Sequence, residues 1–318
     1  VKAFVTGGAG FVGSSLTDHL IANGYEVVVY DNFSTGREQF LERAAGSGRL
    51  TVVRGDTLDA DAVLRAMRGC DAVCHIAANA DVRFGLQHPR RDLEQNTVAT
   101  FNVLEAMRAL DVRRLIFSST GSIYGEPAVF PTPEDAPFPV QTSLYGASKL
   151  ACEGMITAYC EGYGMQATIF RCVSILGERY THGHVFDFVK SLRADPAHLR
   201  VLGDGRQRKS YLYIGDCTAA MLLALETAPD RVNIFNLGAD EYCEVTDSVR
   251  WITERLGVSP DVEYGGGERG WIGDSPFIFL DCSRLRRLGW RPTLSIREGV
   301  ERTVDYLTSN PWLLEARP

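Results

Sequence analysis

No stretch of this chain approaches the ~20 consecutive apolar residues that a membrane-crossing helix needs, and the first residues run straight into a strand pattern without a basic, apolar and small-residue leader. Basic excess is also missing: 33 Lys and Arg against 40 Asp and Glu give a formal charge of -7. Long-range attraction to nucleic acid or an anionic membrane is thereby excluded, so any phosphate must be met by a local pocket. The eight cysteines, at 70, 74, 152, 160, 172, 217, 243 and 282, show none of the short paired spacings of a zinc ribbon or a redox dithiol. They read as buried free thiols in a reducing compartment, and a cytoplasmic protein is expected. Internal repeats, low-complexity tracts and long linkers are absent as well.

What remains is an ordinary globular composition, 45 % apolar and 23 % charged, in a chain long enough at 318 residues for a large core and a second small lobe. Short apolar runs alternate with helical patterns through the first half. Lys2–Thr6, Glu26–Tyr30, Leu50–Arg54, Ala72–Ile76, Arg114–Ser118 and Gln166–Arg171 read as strands, with crossover helices between them. That alternation predicts an α/β fold, a Rossmann-like doubly wound parallel sheet with helices on both faces. Two longer helices are predicted over Pro89–Leu110 and Leu144–Tyr163. Each has apolar positions for the sheet and for a second face, which forms either a homodimer seam or a wide core-facing stripe.

After Arg171 the pattern breaks up: Gly177–Gly183 is loop-like, Val185–Arg193 helical, Arg200–Asp204 a short strand, and Gly265–Gly270 irregular. The expected organisation is a nucleotide-binding domain over 1–171 and a smaller mixed α/β substrate lobe, mainly 172–318, with a segment near 205–240 returning to the first domain.

Gly7-Gly8-Ala9-Gly10-Phe11-Val12-Gly13 follows the first strand and opens a helix. Gly7 permits the sharp turn, Gly10 a close approach of pyrophosphate to the backbone, and Gly13 tight packing of helix on sheet. Asp31 closes the next strand, where a carboxylate accepts bonds from a ribose diol and repels a 2'-phosphate, so NAD is expected over NADP. Further on, Tyr145 and Lys149 are four residues apart in a predicted helix, so phenol and ammonium share a face. An ammonium beside a phenol favours phenolate, a general base for neutral pH. His182 and His184 flank Gly183, but no third ligand completes a set and no metal is expected. Phe186, Phe188, Tyr211 and Tyr213 read either as core or as a platform for a base.

Taken with Gly55-Asp56, His75-Ile-Ala-Ala78, Asn96, Ser118-Ser-Thr120, Tyr124-Gly125, Gly203-Asp-Gly205 and Leu288-Gly-Trp-Arg-Pro292, these motifs resemble the extended short-chain dehydrogenase/reductases along essentially the whole chain. Within them the likeness is to nucleotide-sugar epimerases and dehydratases, most of all archaeal-type UDP-glucose 4-epimerases. The resemblance implies Thr120, Tyr145 and Lys149 as catalytic residues, with Lys149 lowering the pKa of Tyr145 and bonding the nicotinamide ribose. It implies a cofactor site of Gly7, Gly10, Phe11, Val12, Asp31, Asn32, Ser34, Thr35, Gly36, Asp56, Thr57, Ile76, Ala77, Ala78, Asn96 and Ser118, together with Tyr145 and Lys149. Asp56 and Thr57 fall beside the adenine in that scheme. For a UDP-sugar it implies Thr120, Gly121, Ser122, Tyr145, Ser174, Val185, Lys209, Tyr211, Arg269 and Asp274.

Departures from the family pattern carry information. Dehydratases place Asp and Glu after the catalytic Thr, to protonate a leaving hydroxyl and remove the C5 proton. Here Gly121 and Ser122 stand there, which disfavours elimination and, less strongly, decarboxylation. Lys209-Ser210 replaces a common Arg-Asp, keeping a phosphate-pairing charge without a bidentate fork. Ser174 replaces a common Asn. The expected activity is NAD-dependent C4 epimerisation of a UDP-hexose, with UDP-uronate or N-acetylhexosamine epimerases and lyases as alternatives.

Overall fold

The computed structural model describes residues 1–79, 85, 87–138 and 140–315. The first six strands are β1 (Lys2–Thr6), β2 (Glu26–Asp31), β3 (Leu50–Arg54), β4 (Ala72–His75), β5 (Arg114–Thr120) and β6 (Gln166–Cys172). After them come β7 (Ser174–Leu176), β8 (His198–Val201), β9 (Arg208–Lys209), β10 (Tyr211–Tyr213), β11 (Val232–Leu237), β12 (Cys243–Glu244), β13 (Asp261–Tyr264) and β14 (Phe277–Ile278). Seven of them form one sheet in the order β11-β6-β5-β4-β1-β2-β3, every neighbouring pair parallel. The strands at its centre are buried on both faces, as helices on both sides of a sheet demand. Val5 of β1 lies between Val29 of β2 and Cys74 of β4. Strand order reverses between β1 and β4, which opens a crevice at their carboxyl ends.

The chain returns to this sheet late. Helix Ile214–Thr227 packs on helix Phe11–Ala22, and β11 pairs with β6. Residues 208–213 sit instead in small sheets: β10 pairs with β7, and β9 lies between β12 and β14. Helices His184–Ala194, Val245–Leu256 and Ile296–Ser309 enclose a second core around Val185, Leu192, Ile252, Val300 and Leu307. Capping boxes start two of them, Glu244 with Asp247 and Ser295 with Glu298.

Three details differ from the sequence expectation. The strand expected over Arg200–Asp204 runs over His198–Val201, because Gly203 and Gly205 adopt φ of +75° and +81° and turn the chain away. The helix expected over Pro89–Leu110 contains a π-helical turn, Leu93–Val98, between α-helical Pro89–Asp92 and Ala99–Leu110. β5 runs two residues beyond Ser118, so Thr120 is its last residue. Helix Leu144–Tyr163 matches its expected bounds. Ser143 caps it by accepting the Gly146 N–H, and Gly164 ends it at φ +64°.

Between β1 and helix Phe11–Ala22 the backbone is packed too closely for side chains. Gly7 has φ +66°, and a Cβ there would lie 2.8 Å from the backbone of Ala77 after β4. A Cβ on Gly13 would lie 2.1 Å from the Gly7 carbonyl oxygen and 2.8 Å from the Gly8 Cα. These obstacles are backbone, so nothing flexible can yield. Gly13→Val is expected to cost about 2–3 kcal/mol of stability through overpacking, read as a lower urea midpoint; an unchanged midpoint would contradict this packing.

Candidate active site

The turn after β1 presents free donors to the crevice. Helix Phe11–Ala22 has Gly10 at its N-cap, no side-chain cap and no acidic residue in its first turn. Its terminal N–H groups and its dipole are therefore available to an anion. Asp31 lies across the loop, where Oδ2 accepts the Ala9 N–H at 2.9 Å and Oδ1 the Phe33 N–H at 2.7 Å. Burial raises the pKa of this carboxyl, and the Phe33 and Ala9 bonds pull it back. Each oxygen keeps lone pairs for further donors. Gly36 is buried against Asp31, with Ser34 and Thr35 exposed beside it, and the Asn32 amide donates to Asp56 at 2.9 Å. Thr57 is buried, its carbonyl accepting from Asn102. This glycine cradle, bare helix terminus and carboxylate fit a dinucleotide with a free ribose diol.

The second cluster stands at the ends of β4 and β5. Lys149 is wholly buried and donates to the Ser118 carbonyl at 2.8 Å, with its ammonium 4.6 Å from the Phe117 ring centre. Tyr145 is one helical turn earlier, and it lines the cleft beside Thr120. Burial pushes the phenol up; Cys172 and Asp92 add to that, and the Thr120 bond pulls it down. Desolvation also lowers the pKa of Lys149, so burial favours the neutral form of both groups.

Asn96 lies in the π turn and clamps this cluster. Its amide donates to Ser148 Oγ at 2.9 Å and accepts the Asn79 N–H at 2.8 Å, while Ser148 Oγ donates to the Tyr145 carbonyl. The Ala77 N–H donates to Thr6 Oγ1, and Ile76, Ala78 and Ser118 line the cleft. His75, whose role sequence reading did not specify, is buried between Thr6 Oγ1 at 2.7 Å and Thr100 Oγ1 at 3.0 Å.

From Tyr145 a cavity of about 400 Å³ extends past Thr120, Gly121, Ser122 and Ser174 to Lys209 and Asp274. Lys209 Nζ is 2.7 Å from Asp274 Oδ1 and also donates to the Ser275 carbonyl. Burial lowers the Lys209 pKa and Asp274 raises it. Tyr211 is buried on the same wall. Two expected contacts fall elsewhere. Val185 is 0 % exposed in the second core, while its neighbours Gly183 and His184 line the cavity. Arg269 pairs at the surface with Glu126. Cys172, Gln207 and Trp271 line the cavity without having been singled out. Gln207 is buried with neither amide atom hydrogen-bonded among the described residues, and it lines the cavity. It stands two residues before Lys209.

Fold and site together define the dinucleotide-binding class of doubly wound α/β proteins, with a cleft at the carboxyl ends of the strands. Residues 3–238 match the model of the NAD dependent epimerase/dehydratase family, and the chain belongs to that family, with NAD as its cofactor. A relative from the archaeon Methanocaldococcus jannaschii is 32 % identical over 312 residues, 96 % of this chain and 98 % of the relative. The Thermus thermophilus UDP-glucose 4-epimerase, solved in complex with NAD, is 33 % identical with a TM-score of 0.86 over 97 % of this chain and 99 % of that one. The Bacillus cereus UDP-glucuronic acid 4-epimerase, solved with UDP-glucuronic acid and NAD, is 27 % identical with a TM-score of 0.89 over 98 % and 100 %.

The His75 environment sets a pH dependence. Burial, with the Lys149 charge behind it, depresses its pKa from 6.5 to about 3, so the folded protein keeps it neutral while the unfolded chain protonates it below 6.5. Its contribution to stability is complete above the unfolded pKa and is lost as pH falls from there toward 3. His75→Gln should flatten the fall of unfolding free energy between about pH 6.5 and 5, by up to about 1.4 kcal/mol per pH unit. Denaturant titrations with equal slopes in both proteins would count against a neutral buried imidazole.

Proposed function

We propose that this chain epimerises C4 of a UDP-hexose, with UDP-glucose and UDP-galactose as the default pair. The observation that carries the reading is the Thr120–Tyr145–Lys149 cluster on a cleft wall where Gly121 and Ser122 replace the acid/base carboxylates of a dehydratase. Gly7, Gly10, Phe11, Val12 and Asp31 would hold the cofactor's diphosphate and adenosine ribose. Lys149 and Asn96 would define the nicotinamide end. Bound NAD supplies a reversible hydride acceptor for C4. Tyr145 takes the 4-hydroxyl proton, with the Thr120 hydroxyl sharing the hydrogen bond to the 4-oxygen. Burial favours the protonated phenol, so base function at Tyr145 depends on positive charge near it, which the Lys149 ammonium would supply.

The 4-ketose, still held through its diphosphate by Lys209, turns over; C4 would then take back the hydride on its other face while Tyr145 returns the proton to the 4-oxygen, which gives the epimer without net redox change. Tyr211 and Asp274 serve the nucleotide half, and Ser174 the sugar half. UDP-glucuronate is the second reading, since a UDP-glucuronic acid 4-epimerase is among the similar structures. Among the described residues no helix is long and apolar enough to cross a membrane, and eight free thiols suit a reducing cytoplasm.

A second copy of the chain is the expected partner. Leu93 and Phe101 on the 89–110 segment are 55 % and 45 % exposed, and Leu144 and Tyr163 on the other long helix are 43 % and 53 % exposed. Apolar side chains on two long neighbouring helices support a homodimer seam. Light scattering should give twice the mass of the chain, and Phe101→Glu should shift it to monomer; a wild-type monomer would remove the seam.

Purified protein with NAD and UDP-galactose should produce UDP-glucose, followed by proton NMR. Tyr145→Phe should lower turnover by about 10²–10⁴-fold while NAD binding persists. Full activity in that variant would overturn the assignment, and conversion of UDP-glucuronate alone would move it to the second reading.

A further inference from the structure

Tyr145, Lys149 and Glu153 recur every four residues on helix Leu144–Tyr163, so they share the face that packs on the sheet. Glu153 takes no part in the proton chemistry above. It is 4 % exposed and pairs with Arg171, 2 % exposed, on β6. Arg171 Nη2 lies 2.7 Å from Glu153 Oε2, and Nε reaches both carboxylate oxygens at 3.2 Å. The other carboxylate oxygen accepts Ser119 Oγ at 2.5 Å. Arg171 Nη1 donates to the Tyr124 hydroxyl and the Glu134 carbonyl, both at 2.8 Å, and Tyr124 donates to Asn236 on β11 at 2.8 Å. In the β5–β6 ladder Ser119 faces Arg171 and Thr120 faces Cys172. The cluster therefore ties the helix that carries Tyr145 to the strand that carries Thr120, one residue below Thr120 itself.

A buried ion pair is poor evidence of stabilisation, since desolvating two charges costs about what their attraction returns, and apolar residues of similar volume often do as well. A guanidinium with four of its five N–H groups directed does, however, admit one arrangement of its neighbours. We propose that Glu153 and Arg171 are positioning residues that set the register of helix Leu144–Tyr163 against β5, and so hold the Tyr145 phenol and the Thr120 hydroxyl at one common oxygen of the substrate. The inference rests on the role given above to Thr120 and Tyr145. Displacement of either by about 1 Å is enough to cost about 10²-fold in rate.

The test is the double variant Glu153→Leu/Arg171→Met in the NAD-loaded protein, beside Ser119→Ala, which removes one bond to Glu153 and leaves the ion pair. The double variant should melt within a few degrees of the wild type and bind NAD equally well. Its kcat should fall roughly 10- to 100-fold with KM unchanged, and Ser119→Ala should show a smaller loss in the same parameter. Unchanged kcat in either folded variant, or a loss confined to KM or NAD affinity, overturns the proposal; should the double variant fail to fold, Ser119→Ala decides alone. Amide hydrogen exchange needs no substrate: faster exchange at Gly121–Ser122 and Gly146–Ala147 in the variants is expected, and unchanged exchange overturns the inference. Inactivity of the wild type on every UDP-sugar would instead strike the functional reading, and the exchange experiment would still decide this one.

Discussion

The contact between Gly7 and the backbone of Ala77 is the constraint on which the rest depends. It can exist only because position 7 has no Cβ and accepts φ +66°. Through it the first turn leaves β1 directly against the residues after β4, where strand order reverses. The helix N-terminus then faces the crevice, and Ile76 and Ala78 become its wall. A side chain at position 7 would push helix Phe11–Ala22 from the sheet and displace both the anion-binding terminus and the carboxylate of Asp31, which is tied to Ala9.

The site can be seen as one long helix held against a parallel sheet, with a polar face buried where an apolar one would be simpler. Cys152, Ile156 and Cys160 provide the apolar anchorage farther along, while Ser148, Lys149 and Glu153 bury polar groups nearer the start. Each of those three has a named partner: Asn96, the Ser118 carbonyl and Arg171. Satisfying them individually is what permits charge and proton donors at the floor of a cleft without an open desolvation cost.

How much of this was legible in the sequence follows from the range of the interactions. Strands, the glycine turn and the Tyr145–Lys149 pair depend on local periodicity and spacing, and the six expected strands all occur with small shifts at their ends. The π turn around Asn96 left no trace in the hydrophobic pattern, because the same face of the helix stays buried on either side of it. Val185 was misread because a residue at a helix start next to a cavity looks the same in sequence whether it points outward or, as here, into a second core. The two-residue strands β9, β12 and β14 are held by partners more than 30 residues away, and periodicity carries no such information. Glu153 did have a visible signal in its spacing from Lys149, but its partner Arg171 lies on a strand that reads as purely structural.

The Lys209–Asp274 pair has a bearing on release as well as capture. Its ammonium loses water when the protein folds and is buried beside a carboxylate before any ligand arrives. On the proposed reading, a diphosphate entering the cavity exchanges one anion for another around a cation that is already dry, so the encounter does not meet the full dehydration of a solvated lysine. As the anion leaves, Asp274 recovers the cation, and no bare buried charge is left behind. On that reading the cleft carries its own substitute anion, which tempers affinity for a polyanionic product and eases its departure.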